Sequence, residues 1–239
     1  MLLRRVTALL FILATLASPA LSANEESAAE HQRRAEEFVR DGKVQEAAAE
    51  LRSAVELDPG SAEAHRALAE IYLKLQDPEG AFREYQEVVN LDPLDADARI
   101  RVATFYLLGR RFADAEAQAA KAIELAPDRT DARVVLSRAR AARKDWEGAI
   151  QALEEAVARA PNDEALRVEL ARLHLAAGEP DRAEAVLRQG IQEIPPSKGL
   201  RAALANLLAS RKEFAEADAL MEEVRNLSLG DPAARRAVA

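Results

Sequence analysis

Few residues in this chain could do chemistry. His31, His65 and His174 are its only histidines, and none stands in a His-Glu-x-x-His spacing that would set two ligands on one helix face. The sequence has no cysteine, which removes thiol nucleophiles, Cys-type zinc sites, disulfides and lipid attachment through a leading Cys. It has no Gly-rich phosphate loop and no Gly-x-Ser-x-Gly nucleophile turn. Acidic residues abound, yet no Asp or Glu has a recognisable acid–base partner in the sequence. "NLS" at 226–228 is formally a glycosylation sequon, a short match of little weight. The histidines read as solvated or core-edge groups. No catalytic residue, metal ligand or cofactor site is expected, and the chain is not expected to be an enzyme.

What remains is a set of arginines and valines at a fixed interval. Arg138 and Arg172 are 34 residues apart, and Val134 and Val168, one helical turn earlier, share the step. The interval runs through the whole chain. "ELDPGSAEAH" at 56–65 returns as "NLDPLDADAR" at 90–99, "ELAPDRTDAR" at 124–133, "ARAPNDEALR" at 158–167 and "QEIPPSKGLR" at 192–201. Pro59, Pro93, Pro127, Pro161 and Pro195 keep the same step. So do Ala47, Ala81, Ala115, Ala149, Ala183 and Ala217, and so do Ala35, Ala69, Ala103, Ser137, Ala171 and Ala205. Six copies therefore run without insertion: 28–61, 62–95, 96–129, 130–163, 164–197 and 198–231.

Each copy reads as two short helices. In the third, Asp97 favours the start of "ADARIRVATFYLLG" and Gly109 ends it. "RFADAEAQAAKAIELAP" follows, and Pro127 stops it because proline lacks an N–H and clashes with the turn before it. Small residues at places 8 and 20 let the paired helices approach, so leucine at Ala115 or Ala149 should overpack them. Ala119, off those places, should tolerate leucine better. Nothing alternates as a strand, and alanine supplies much of the 49% hydrophobic content, so the class is all-α. One such hairpin cannot bury its apolar face alone, and the copies must stack.

The pattern resembles that of the tetratricopeptide repeat family. The second copy matches it through Leu68, Ala69, Tyr72, Ala81, Tyr85 and Pro93, and the third through Val102, Ala103, Tyr106, Phe112, Ala115, Ala122 and Pro127. Copies depart from it at Arg34, where leucine is usual and an outward-facing cap is implied, and at Arg140 and His174, where tyrosine is favoured. Leu229 takes the proline's place in the sixth copy, and 232–239 reads as a partial cap. The resemblance implies an all-α, right-handed superhelical solenoid of six repeats, with first helices lining the concave side. It also implies a scaffold that binds protein partners.

That layout sorts the charges. The first helices of copies three to six (96–109, 130–143, 164–177, 198–211) carry net +1, +3, 0 and +3. The second helices (113–125, 147–159, 181–193, 215–227) carry −2, −2, −1 and −3. The sorting means either a basic inner face or pairing between helices. On the first alternative, Arg101, Thr104, Val134, Arg138, Val168, Arg172 and Asn206 form an apolar, arginine-edged trough. Copies one and two offer it a polar mouth of Gln32, Arg33, Glu36, Arg40, Arg66, Glu70 and Lys74. Such a trough suits an amphipathic helix or extended peptide with some acidic residues. Glu154 and Glu155 fall on the outer side. The Lys-x-x-x-Asn carboxylate clamp of chaperone-binding repeats is absent, since Gln32/Glu36 and Arg66/Glu70 hold those places.

The N-terminus, "MLLRRVTALLFILATLASPALSA", sets Arg4 and Arg5 before a charge-free run, Val6 to Ala23, that ends in small residues after Pro19. That is the build of a secretory signal peptide cleaved after Ser22 or Ala23, with 24–27 as a linker. The alternative is an inner-membrane anchor formed by residues 6–23. Both put the repeats outside the cytoplasm, and a bacterial periplasm is the expected compartment. Beyond residue 23 the chain holds 31 Lys+Arg against 41 Asp+Glu, an acidic balance that repels nucleic acid and anionic membrane surfaces. The expected function is a scaffold for a cell-envelope assembly. The alternative is a component that binds an anionic polysaccharide or polymer through the arginines.

Overall fold

The computed structural model describes residues 27–229, which hold twelve helices and no strand. In order they are α1 (Ala28–Arg40), α2 (Val44–Leu57), α3 (Ala62–Lys74), α4 (Pro78–Leu91), α5 (Ala96–Leu108), α6 (Phe112–Leu125), α7 (Thr130–Ala142), α8 (Trp146–Arg159), α9 (Glu164–Ala176), α10 (Pro180–Glu193), α11 (Lys198–Ser210) and α12 (Phe214–Leu229). The leader read at 1–23 and the partial cap read at 232–239 lie outside the described residues.

The repeated proline accounts for the end of each second helix in the first five pairs. Asp58, Asp92, Ala126, Ala160 and Ile194 each precede a proline, and all lie outside the α region, with φ between −123° and −136°. A residue before proline is pushed out of the α region by the ring's Cδ. α12 meets Leu229 instead and runs to 16 residues where its counterparts have 14. Each first helix starts on a capping oxygen in five of six copies: Ser27, Ser61, Asp95, Asp163 and Ser197 accept from backbone amides of the first turn. Asp97 acts in that turn through its charge, but the cap itself is Asp95.

Gly109 ends its helix as read, but not through a left-handed conformation. That glycine ends α5 at φ −76°, an ordinary conformation. The left-handed residue is the next one, Arg110, at φ 59°. The same place is left-handed at Gly42, Gln76, Lys144, Gly178 and Lys212. Two copies thus use the residue this geometry favours, and four put a side chain there at a steric cost.

The core follows the chain as a succession of clusters rather than one centre. Ala35, Ala47, Ala48, Leu51, Leu68 and Ile71 form the first, drawn from α1, α2 and α3. Ala171, Leu187, Leu200, Leu204, Leu208 and Leu220 belong to the last. Both small-residue registers are buried throughout, at 5% exposure or less. Ala119 is as buried as Ala115 and packs with Ala103, Val135 and Ala152, so the expectation that it would tolerate leucine is corrected. It packs both against its own pair, at Ala103, and against the next, at Val135 and Ala152, a contact that places 8 and 20 do not report.

A second ladder ties copies two to five to the chain before them. Place 4 holds His31, His65, Arg99, Arg133, Arg167 and Arg201. The proline carbonyl of the preceding copy accepts from this side chain: Arg99 reaches Pro93 at 2.8 and 3.0 Å, Arg133 reaches Pro127 at 2.6 Å, and Arg167 reaches Pro161 at 3.0 and 3.1 Å. In His65 the ring nitrogens lie 2.7 Å from Glu84 and 3.2 Å from the Pro59 carbonyl. Arg133 and Arg167 are 3% and 5% exposed. These inter-repeat ties are structural, and His65 and His174, both buried, are core-edge groups.

Candidate interaction groove

The first helices α3, α5, α7 and α9 present three adjoining cavities. One of about 510 Å³ lies between α1 and α3, with Ala35, Val39, Leu51, Ala67 and Ile71 as an apolar floor inside a rim of Gln32, Glu36, Arg40 and Lys74. The second, about 500 Å³, spans α3 to α7 and is lined by Arg66, Glu70, Arg101, Thr104, Val134 and Arg138 among others. The third, about 410 Å³, lies at α7 to α9 on Ala141, Trp146, Leu153, Leu173 and Ala176, edged by Arg138, Glu169 and Arg172. Glu70 lines both the first and second, and Arg138 both the second and third. The three therefore adjoin along the first-helix face as successive sections of a groove.

The order of chemistry along the groove differs from the sequence reading. A polar mouth followed by an apolar trough was expected. The first repeats instead supply an apolar floor under a polar rim, the middle is the polar part, and the third section is apolar again. The reason is periodicity. Positions 32, 36, 40 and 74 are the rim, while the floor comes from neighbouring positions on α1 and α3 and from Leu51 on α2.

The expected site residues divide accordingly. Arg101, Thr104, Val134 and Arg138 meet in the middle cavity, where the Thr104 hydroxyl is already donated to the Ile100 carbonyl at 2.8 Å. Arg172 stands in the third with Arg138. Val168 packs instead against the C-terminal core cluster. Asn206 is exposed on α11 and lines none of the three cavities. Sequence reasoning missed Tyr85 and Arg129 in the middle section. Tyr85 sits on a second helix and read as packing alone, and Arg129 belongs to a connection between repeats.

The sorted charges turn out to be mostly internal pairs. Arg133 reaches Glu155, Arg140 and Arg143 share Glu116, Arg167 reaches Glu193, Arg201 reaches Glu223, and Arg211 spans Asp181 and Glu184. Arg133, Arg167 and Arg201 pair within a repeat, and Arg140, Arg143 and Arg211 pair with the second helix of the repeat before, so the basic and acidic sides meet each other instead of forming a basic inner face. Within the groove, Arg66 is held by Asp95, Arg129 by Asp97 and Asp131, and Arg138 by Glu169. The hydrogen bond from Arg129 keeps the Asp131 carboxyl below its ordinary range, and Glu169 raises the Arg138 guanidinium further. Arg101 and Arg172 are exposed and make no hydrogen bond or ion pair among the described residues. Burial pushes the Tyr85 phenol up, Arg101 draws it down and Glu70 raises it, so all three share one electrostatic neighbourhood.

Among the described residues, no group of three or more His, Asp or Glu could hold a metal ion, and no helix is long and apolar enough to cross a membrane.

Two family models, both described as Tetratricopeptide repeat, match the chain, one over 33–98 and 106–164 and the other over 140–197 and 174–239. No curated protein matches it in sequence. Solved structures of similar fold include PilW, a widely conserved type IV pilus biogenesis factor, at TM-score 0.66 and 18% identity over 89% of this chain and 98% of that one. Pseudomonas aeruginosa pilF follows at TM-score 0.62 and 20% identity, over 87% and 95%. MamA 41-end from Desulfovibrio magneticus RS-1 gives 0.63 and 18%, over 69% and 93%. At these identities the likeness is one of fold.

Proposed function

Because the chain belongs to the tetratricopeptide repeat family, whose members serve generally as non-enzymatic protein–protein interaction scaffolds, we propose that it takes up a peptide or amphipathic helix of a cell-envelope assembly partner in the first-helix groove. The observation that carries this reading is adjacency: Glu70 and Arg138 each line two cavities, so the three follow one another across the four junctions between the first five repeats. A channel of that form fits a chain laid along it better than a compact small molecule, and its apolar–polar–apolar order fits anchors spaced along a helix. Export to the periplasm, with residues 1–23 cleaved or retained as an anchor, rests on the leader sequence and is part of the proposal. PilW, a type IV pilus biogenesis factor, is an example of the fold in such machinery. An anionic polysaccharide is the weaker reading, because Arg66, Arg129 and Arg138 are already matched by carboxylates.

The test is affinity capture from cell-envelope extract with three proteins: wild type, Ala67→Arg/Ala176→Arg, which fills the two apolar sections, and Glu147→Lys/Glu154→Lys on a second helix. Glu155 is unsuited as a control, since it accepts from buried Arg133. A partner lost with the groove pair and kept with the outer pair supports the reading. The reverse pattern moves the site to the second-helix side.

A further inference from the structure

The middle of the groove contains two hydrogen-bond donors without partners among the described residues, whereas its other arginines are paired. Tyr85 is 3% exposed, and what surface it keeps opens on the middle cavity. Its hydroxyl makes no hydrogen bond among the described residues, whereas that of Tyr106 accepts from Gln86 at 3.1 Å. The ring is buried and packed against Phe105, which holds the hydroxyl at the cavity wall with its donor free for a ligand. Arg101 lines the same cavity with its guanidinium unengaged. Each of the other three arginines there already has a carboxylate.

We propose that the middle cavity seats one internal Asp or Glu side chain of the bound peptide, with Arg101 and Tyr85 as its two donors. The proposal rests on the groove reading above and deepens it. A carboxylate accepts up to four hydrogen bonds, two of them from a guanidinium fork and a third from a phenol. The phenol stays protonated at neutral pH, since burial disfavours its anion, and so serves as a donor. The occupant is a side chain within the peptide because the groove continues past the cavity at both ends, through Glu70 and through Arg138. A chain terminus would stop there. One carboxylate fits and a run of them does not: Glu70, Asp97 and Asp131 line the same walls and repel further negative charge. Glu70 makes no ion pair among the described residues and stands toward the first cavity, where a cation on the peptide would meet it.

The probe is a fluorescein-labelled peptide chosen from displayed random 12-residue peptides. Selection uses the protein in the form that accumulates when the whole reading frame is expressed. The expected selection is an acidic residue between apolar ones. Changing that residue to its amide weakens binding about tenfold or more, the range of a charge-assisted hydrogen bond. Arg101→Gln produces the same loss, and the two changes together lose little more than either alone. Tyr85→Phe weakens binding several-fold without lowering the melting temperature. If Arg101→Gln and Tyr85→Phe bind as wild type while Ala67→Arg/Ala176→Arg does not, the groove stands and the seat is wrong. If peptide amidation abolishes binding and the internal acid is dispensable, the site reads a chain terminus and the proposal fails. If sodium polygalacturonate binds and no peptide is selected, the groove reading fails with it.

Discussion

Arg138 on α7 and Glu169 on α9 face each other across the groove wall as a two-pronged pair, Nε to Oε1 at 2.6 Å and Nη2 to Oε2 at 2.8 Å. The pair ties successive first helices together at the point where the middle and third cavities join. It also alters the role assigned to Arg138 on sequence grounds, where it was a free cation waiting for a ligand. A carboxylate from a partner must compete with one already in place.

Glu169→Gln should therefore release Arg138 and strengthen binding of an acidic peptide by a few-fold, measured by fluorescence anisotropy. Arg138→Gln should weaken binding less than Arg101→Gln does, because only Arg101 starts unpaired. Stability should change by less than about 1 kcal/mol in Glu169→Gln, as the pair is half-exposed. A larger affinity loss at Arg138 than at Arg101 would reverse their ranking.

The left-handed place offers a stability test independent of function. Gln76→Gly and Lys144→Gly should each stabilise by roughly 0.5–1 kcal/mol, because relief of the left-handed strain exceeds glycine's extra chain entropy. Gly178→Ala should destabilise by about 1 kcal/mol at φ 82°, although a Cβ there meets nothing within 4 Å. Urea midpoints report all three, and a neutral Gly178→Ala would mean that the turn relaxes.

Arg167→Ala should destabilise by about 2–3 kcal/mol, since it strips a buried tie from the Pro161 carbonyl and from Glu193. Arg99→Ala, whose bonds to Pro93 are exposed, should cost about 1 kcal/mol. Equal costs would show that burial does not set the value of this ladder.

Leucine at Ala119 should now be as damaging as at Ala115 or Ala149, at about 1–3 kcal/mol each, because all three are fully buried. Thermal unfolding of the three variants decides it, and tolerance at Ala119 alone would restore the sequence expectation.

Acid should weaken the fold through its paired carboxylates. Arg129 holds Asp131, and Arg188 holds Glu216, below their ordinary values by hydrogen bonding. A carboxyl lowered in the folded state contributes stability at pH values above its unfolded pKa of about 4. That contribution is lost as pH falls through the folded value. Urea midpoints should show no slope from these groups between pH 7 and about pH 5, then a decline toward pH 3. Asp131→Asn should remove part of the decline, and an unchanged acid limb would exclude its contribution.

The sequence by itself determined the repeat, its length, the two helices of each copy and the small residues between them. These are local or nearest-neighbour properties: a proline ends the helix two residues before it, and a 34-residue step repeats the same packing six times. The resemblance carried by Leu68, Tyr72, Tyr85 and Pro93 named the family correctly. Only the tertiary structure decided where the charges go. A net charge per helix does not say whether Arg133 points into the groove or back to Glu155, because both lie within reach of a long side chain. Arg138 and Glu169, 31 residues apart, meet only after α7 and α9 stack. Tyr85 looked like core and is core, yet its hydroxyl comes out beside Arg101 from the next repeat. Helix periodicity is written in the chain, whereas the choice among ion-pair partners is made by distances that exist only once the repeats are stacked.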